Sequence, residues 1–140
     1  MDPERRDAGS GGPAEERISG YRELGRIDGL AAVELLPEGD LDIESAEEFR
    51  RTFTRLLDSG VSHFFVNLGG VGYMDSTGLG SLMQLHRKAR EAGGSVRFYD
   101  LRPEVREIFR LTHLDRIIDV DLTREAALSG IRENRRAGRG

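Results

Sequence analysis

The sequence predicts a single α/β domain on a mixed, mostly parallel β-sheet opened by an N-terminal hairpin, with about four helices. Three observations carry this. Two strand-like runs flank Asp28-Gly29, a two-residue turn of the kind hairpins prefer. His63 to Leu68 is a short run rich in Phe and Val, closed by Gly69-Gly70, which reads as a strand buried on both faces. It follows an amphipathic helical pattern, and strand, helix, strand in that order implies a right-handed crossover to a parallel neighbour.

The 140 residues fit one domain with enough chain for a real core. Hydrophobic residues make up 37% and charged residues 33%, and no apolar run approaches the roughly 18 residues of a membrane span. A secretory h-region is also missing, so the expected location is the cytoplasm. Absence of cysteine excludes disulfides and thiolate metal sites. The net charge of −4 argues against a general nucleic-acid binder, which needs a basic face for phosphates.

Residues 1–19 combine Gly9, Gly11, Gly12, Pro3, Pro13 and many charges, with too little apolar content to offset ordering; they are expected to form a disordered tail. The folded domain is expected over 20–131. Tyr21 to Ile27 and Leu30 to Leu36 are the hairpin strands, and Pro37-Glu38-Gly39 ends the second. A helix follows, with Ala46, Phe49, Phe53, Leu56 and Leu57 at helical spacing, Asp42 as its N-cap and Gly60 as its stop. Glutamates precede arginines along it, the order its dipole favours.

After the His63 strand, Ser76 and Thr77 stand where the next helix begins and are natural N-cap residues. A helix N-terminus offers unpaired N–H groups and a positive dipole end that favour a phosphate. From Thr77 to Glu91 the wheel sets Leu79, Leu82, Met83, Leu85, His86 and Ala89 on one arc, opposite Gln84, Arg87, Lys88 and Glu91. Gly78 falls on the apolar arc, where a missing side chain permits close approach to the sheet. Gly80 falls on the polar arc with Thr77 and Ser81; it either leaves room for another protein or is simply tolerated, at a cost of up to about 1 kcal/mol against alanine.

Ser95 to Tyr99 alternates as a strand, and Pro103 opens a third helix carrying Val105, Ile108, Phe109 and Thr112 and ending near His113. Ile117 to Val120 reads as an edge strand. Thr123 caps a last helix with Ala126, Ala127, Leu128 and Ile131, and residues 132–140 form a basic, flexible tail. His63 and His86 lie in apolar patterns and are expected to be packed rather than ligating. Asp40, Asp42 and Asp75 are too weakly patterned for a metal cluster; capping and polar contacts fit them better.

The run Val71-Gly72-Tyr73-Met74-Asp75-Ser76-Thr77-Gly78-Leu79-Gly80 resembles the signature of STAS domains, specifically the bacterial anti-sigma factor antagonists. Gly39-Asp40-Leu41-Asp42 is similar to their earlier Gly-acid-aliphatic-Asp motif. Pro103-Glu104-Val105-Arg106 and Leu111-Thr112-His113-Leu114-Asp115 resemble the family's C-terminal half, so the resemblance covers about residues 21 to 130.

This resemblance implies a small α/β domain that binds an anti-sigma factor, releases a sigma factor, and is inactivated when that partner, a serine kinase, phosphorylates it. ATP and magnesium belong to the partner kinase; the chain itself is expected to need no cofactor and no metal. By motif position the phosphoacceptor is Ser76, with Thr77 as the second candidate. Asp40, Asp42, Asp75, Thr77, Gly80, Ser81 and Gln84 are the expected partner-binding residues. A phosphatase completes the cycle, and neither nucleic acid nor membrane is expected as a direct partner. Phosphate on Ser76 would meet a close-packed partner with bulk and repulsion. His113 departs from the family, which often has glycine there, and a left-handed backbone at that point would strain it.

An enzyme reading fails on the same serine. A nucleophile elbow needs glycine where Met74 stands, and a P-loop needs a Gly-Lys pair that does not occur. Two non-enzymatic alternatives are a stress-signalling scaffold and a subunit beside a lipid-transport ATPase. The short N-terminal tail leaves no room for a sensor domain, which favours the stand-alone antagonist.

Overall fold

The computed structural model describes residues 20–129. Expectations for 1–19, Ile131 and 132–140 lie outside the described residues. The sheet has five strands in the order β1-β2-β3-β4-β5: Tyr21–Ile27, Leu30–Leu35, Val61–Asn67, Ser95–Tyr99 and Asp119–Asp121. The first two strands pair antiparallel and every later pair is parallel. Three helices fill the crossovers, α1 (Ile43–Asp58), α2 (Ser76–Glu91) and α3 (Pro103–Leu111), and α4 runs over 124–129. Among the described residues no helix is long and apolar enough to cross a membrane.

The hairpin turn works because Asp28 and Gly29 both adopt positive φ, 53° and 82°. Positive φ at both central residues gives the reverse-handed turn that matches strand twist. Val33, Phe64, Val66 and Phe98 face α1, α2 and α3, where Phe53, Leu82, Leu85 and Phe109 meet them. A fully buried side chain of this kind contributes about 1.5–3 kcal/mol. On the opposite face Ala32, Phe65 and Tyr99 pack under Ala127 of α4. Both faces of β3 are thus covered, and Val61 through Val66 are buried without a break.

Several polar groups on that second face are paired. Glu34, only 1% exposed, accepts from the Tyr99 hydroxyl and from Arg124 Nε at 2.9 Å, and Arg22 Nε lies 3.2 Å away. Burial and the Glu34 carboxylate push the Tyr99 phenol far above its ordinary range. Arg97 grips Asp121 with two bonds of 2.8 and 2.9 Å, which ties β4 to the edge strand. His63 is fully buried with Nδ1 3.0 Å from Ser95 Oγ. Burial and the neighbouring Arg90 pull the His86 imidazole below its usual range.

The fifth strand is shifted from its expected place at 117–120. His113 is left-handed (φ 60°), and a 3-10 turn at Leu114–Arg116 follows. The turn drives Ile118 into the core at 4% exposure and leaves Ile117 outside, so pairing starts only at Asp119. Strain expected at His113 is therefore present. Thr123 caps α4 as expected, its Oγ1 accepting from Ala126 N at 3.1 Å.

Candidate functional site: the joined starts of α1 and α2

The parallel strands deliver α1 and α2 to the same end of the sheet, the carboxyl end, where open α/β folds place their sites. Three backbone bonds lace the two leading segments together: Gly39 N to Gly70 O at 2.9 Å, Leu41 N to Tyr73 O at 2.9 Å, and Asp75 N to Leu41 O at 3.2 Å. An isolated parallel bridge pairs Leu41 with Met74, and both side chains are 2% exposed. The two motifs, some thirty residues apart in sequence, thereby become one rigid platform.

Each helix on this platform begins with an aspartate. Asp42 caps α1: its Oδ1 accepts from Ser45 N at 3.2 Å, and Ser45 Oγ accepts from Asp42 N at 2.9 Å. The Ser45 amide bond, above all, holds the Asp42 carboxyl below its usual range. Ser45 Oγ also donates to Asp40 O at 2.7 Å, while the Asp40 side chain stays exposed.

Asp75 caps α2 and accepts from Gly78 N at 3.0 Å. This corrects the expectation that Ser76 or Thr77 is the cap. A carboxylate one residue earlier reaches the third helical amide, so Ser76 becomes the first helical residue and Thr77 the second. Ser76 is exposed, and among the described residues its hydroxyl has no hydrogen-bond partner.

Of the expected partner-binding residues, Asp40, Asp42 and Gly80 are exposed, and Asp75, Thr77 and Gln84 are half-buried. Ser81 is corrected: it is fully buried, and its Oγ donates to Gly78 O at 2.6 Å. The wheel misplaced it because α1 lies along the flank of α2, where Arg50 Nε donates to Gln84 Oε1 at 2.8 Å.

The two glycines differ in surroundings, Gly78 buried and Gly80 exposed. A Cβ on Gly78 would sit 2.3 Å from Leu41 O, so the close approach is to the motif segment before α1 and not to the sheet proper. A Cβ on Gly80 would meet only Arg50 Nη2 at 3.8 Å.

Sequence reasoning missed Ser45 and Arg102. Asp-x-x-Ser at 42 to 45 has capping-box spacing and could have been read. Arg102 carries no such signal; it starts α3 while its Nε reaches back to Gly69 O at 2.9 Å, pinning the loop that leads to Ser76.

The family model of the STAS domain matches residues 22–127. The chain belongs to the STAS domain family. Among its relatives, the anti-sigma-B factor antagonist of Bacillus subtilis (strain 168) is 31% identical over 90 residues, 64% of this chain and 82% of the relative. The solved structure of TM1081 from Thermotoga maritima has a TM-score of 0.69 at 28% identity, covering 81% of this chain and 88% of that one. The anti-sigma factor antagonist SpoIIAA in its unphosphorylated form has a TM-score of 0.58 at 21% identity, covering 80% of this chain and 97% of that one. Its phosphorylated form has the same fold, at a TM-score of 0.57. The STAS fold of this chain is thus that of the anti-sigma factor antagonists, helices and opening hairpin included.

Proposed function

We propose that this chain is an anti-sigma factor antagonist of the cytoplasm: it binds an anti-sigma factor that is also a serine kinase, frees the sigma factor, and is inactivated by phosphorylation on Ser76. The observation that carries the reading is an exposed Ser76 hydroxyl, without a hydrogen-bond partner among the described residues, at the first position of α2 on a platform that joins both family motifs. The Ser76 oxygen attacks the γ-phosphorus of the kinase's ATP, the bond to ADP breaks so that ADP leaves, and the hydroxyl proton passes to water. Magnesium and ATP belong to the kinase, a phosphatase reverses the modification, and the chain acts as ligand and substrate without turnover of its own.

Phosphate suits a helix start, because it adds about −1.5 to −2 charges where the dipole is positive. The domain therefore stays folded and the effect falls on the interface. Partner packing over Thr77, Gly80 and the visible part of Gln84 leaves no room for a bulky, strongly hydrated dianion.

The test incubates the purified serine-kinase anti-sigma factors of the same genome, one at a time, with ATP, magnesium and the full chain, and reads intact mass and binding. Expected are one phosphate on wild type, none on Ser76→Ala, and lost affinity after modification. A phosphate that persists on Ser76→Ala moves the site to Thr77. Full affinity of the phosphorylated chain would overturn the switch.

A further inference from the structure

We infer that Tyr73 and Ile43 are apolar anchors of the partner-facing surface, and that the anti-sigma factor covers them with an apolar socket bordered by arginine or lysine side chains. This rests on the reading of this end as the anti-sigma factor's docking face.

Tyr73 is 54% and Ile43 69% exposed. A single exposed apolar residue means little. These two, however, come from separate segments that the Leu41–Met74 bridge and its flanking backbone bonds hold rigidly side by side. A tyrosine on a fixed backbone loses little freedom when covered, which is why such residues carry much of the energy at interfaces. Tyr73 also stands only three residues before Ser76 in the segment that leads into α2.

Charge selects the occupant. Beside this platform lies an open concavity of about 480 Å³ whose lining includes Glu38, Asp40, Asp42, Glu44 and Glu48. Arg51 is the one base among the described residues of that lining, and it lies near Glu47 at 3.8 Å. Asp42 keeps its charge through its capping bonds, which hold its carboxyl below the usual range. Such a border repels a second copy of the same surface and attracts a cationic protein. The other exposed large hydrophobics among the described residues, Leu111, Ile117 and Leu122, belong to the α3–β5 end and serve as internal controls.

The experiment uses the full chain and the kinase identified by the phosphorylation assay. Tyr73→Ala is expected to weaken binding about tenfold or more, and Ile43→Ser severalfold. Thermal melting should stay unchanged, because both side chains are exposed. In phosphorylation of Ser76, KM should rise with kcat held. Raising salt should weaken wild-type binding, and Glu38→Gln with Glu48→Gln should flatten that dependence. Leu111→Ala should bind like wild type.

Wild type that binds and is phosphorylated, alongside Tyr73→Ala and Ile43→Ser variants that match it, overturns the anchors and leaves the functional reading intact. Wild type that neither binds nor accepts phosphate from any such kinase removes the reading, and the anchors with it. A wild-type dimer that Tyr73→Ala dissociates in sedimentation would assign the surface to a second copy and overturn the inference. Salt-independent wild-type binding would overturn the basic border.

Discussion

The Asp75 carboxylate accepts a hydrogen bond from the Gly78 amide at 3.0 Å, so the residue before the candidate phosphoacceptor is the cap of its helix. That bond satisfies one of the orphan donors at the start of α2. Asp75→Ala is expected to cost about 1 kcal/mol of stability, and Asp75→Asn only a fraction of that, because asparagine caps almost as well. Urea denaturation of the three proteins decides it; equal losses for both variants would show that charge rather than capping matters.

Gly78 and Gly80 should respond in opposite directions to alanine. At Gly78 the new methyl would stand 2.3 Å from Leu41 O and 3.1 Å from Met74 Cβ, and backbone cannot yield as a flexible side chain can. Gly78→Ala is therefore expected to destabilise by about 1–3 kcal/mol. At Gly80 the space is open, and alanine should gain up to about 1 kcal/mol from helix propensity. If Gly80 serves close approach, Gly80→Ala will be more stable and yet bind the anti-sigma factor less well. Unchanged affinity would make it a merely tolerated glycine.

Much of this was legible because local signals and global fold agree. Asp28-Gly29, the Phe49–Phe53–Leu56 stripe of α1 and the Phe64-Phe65-Val66 run of β3 each specify their element without help from the rest of the chain. What stayed hidden depends on spatial neighbours. Ser81 reads as polar surface until α1 is laid along α2, and Arg102 carries no signal until its side chain is seen on Gly69 O. Asp75 displaced Ser76 as the cap because several good capping residues stand in a row and only geometry chooses among them.

Asp42 gives the fold a pH dependence of known sign. Its folded pKa lies below the ordinary 3.8, chiefly through the Ser45 amide bond. A depressed carboxyl contributes stability above the unfolded value and loses it as pH falls through the folded one. Wild type should therefore exceed Asp42→Ala in stability at pH 7, and the difference should shrink as pH falls below the ordinary value. Denaturation curves at neutral pH and at about pH 3 test this, and an unchanged gap would refute it.

Tyr99 and Glu34 meet on the face that α4 covers. Tyr99→Phe keeps the ring but removes a donor from a carboxylate that is 1% exposed. The expected loss is about 1–3 kcal/mol, the usual cost of leaving a buried polar group short of partners. Arg124→Ala should cost less, since that side chain is 38% exposed and water replaces part of its contact. The reverse order in chemical denaturation would mean that the α4 contact, rather than the buried hydroxyl, dominates.

Ser76→Asp separates two routes by which the proposed phosphorylation would inactivate the chain. At the first position of α2 a carboxylate sits at the positive end of the helix, where a negative charge is worth about 0.3–1 kcal/mol. No hydrogen bond among the described residues is lost with the Ser76 hydroxyl. Stability should thus be unchanged or slightly raised while affinity for the anti-sigma factor falls. Thermal melting and titration calorimetry on the same preparation read the two quantities independently. Lost affinity with an unchanged melt places the effect at the interface; a melt lowered by several degrees would mean that the charge acts by loosening α2, and the steric account of the switch would fail.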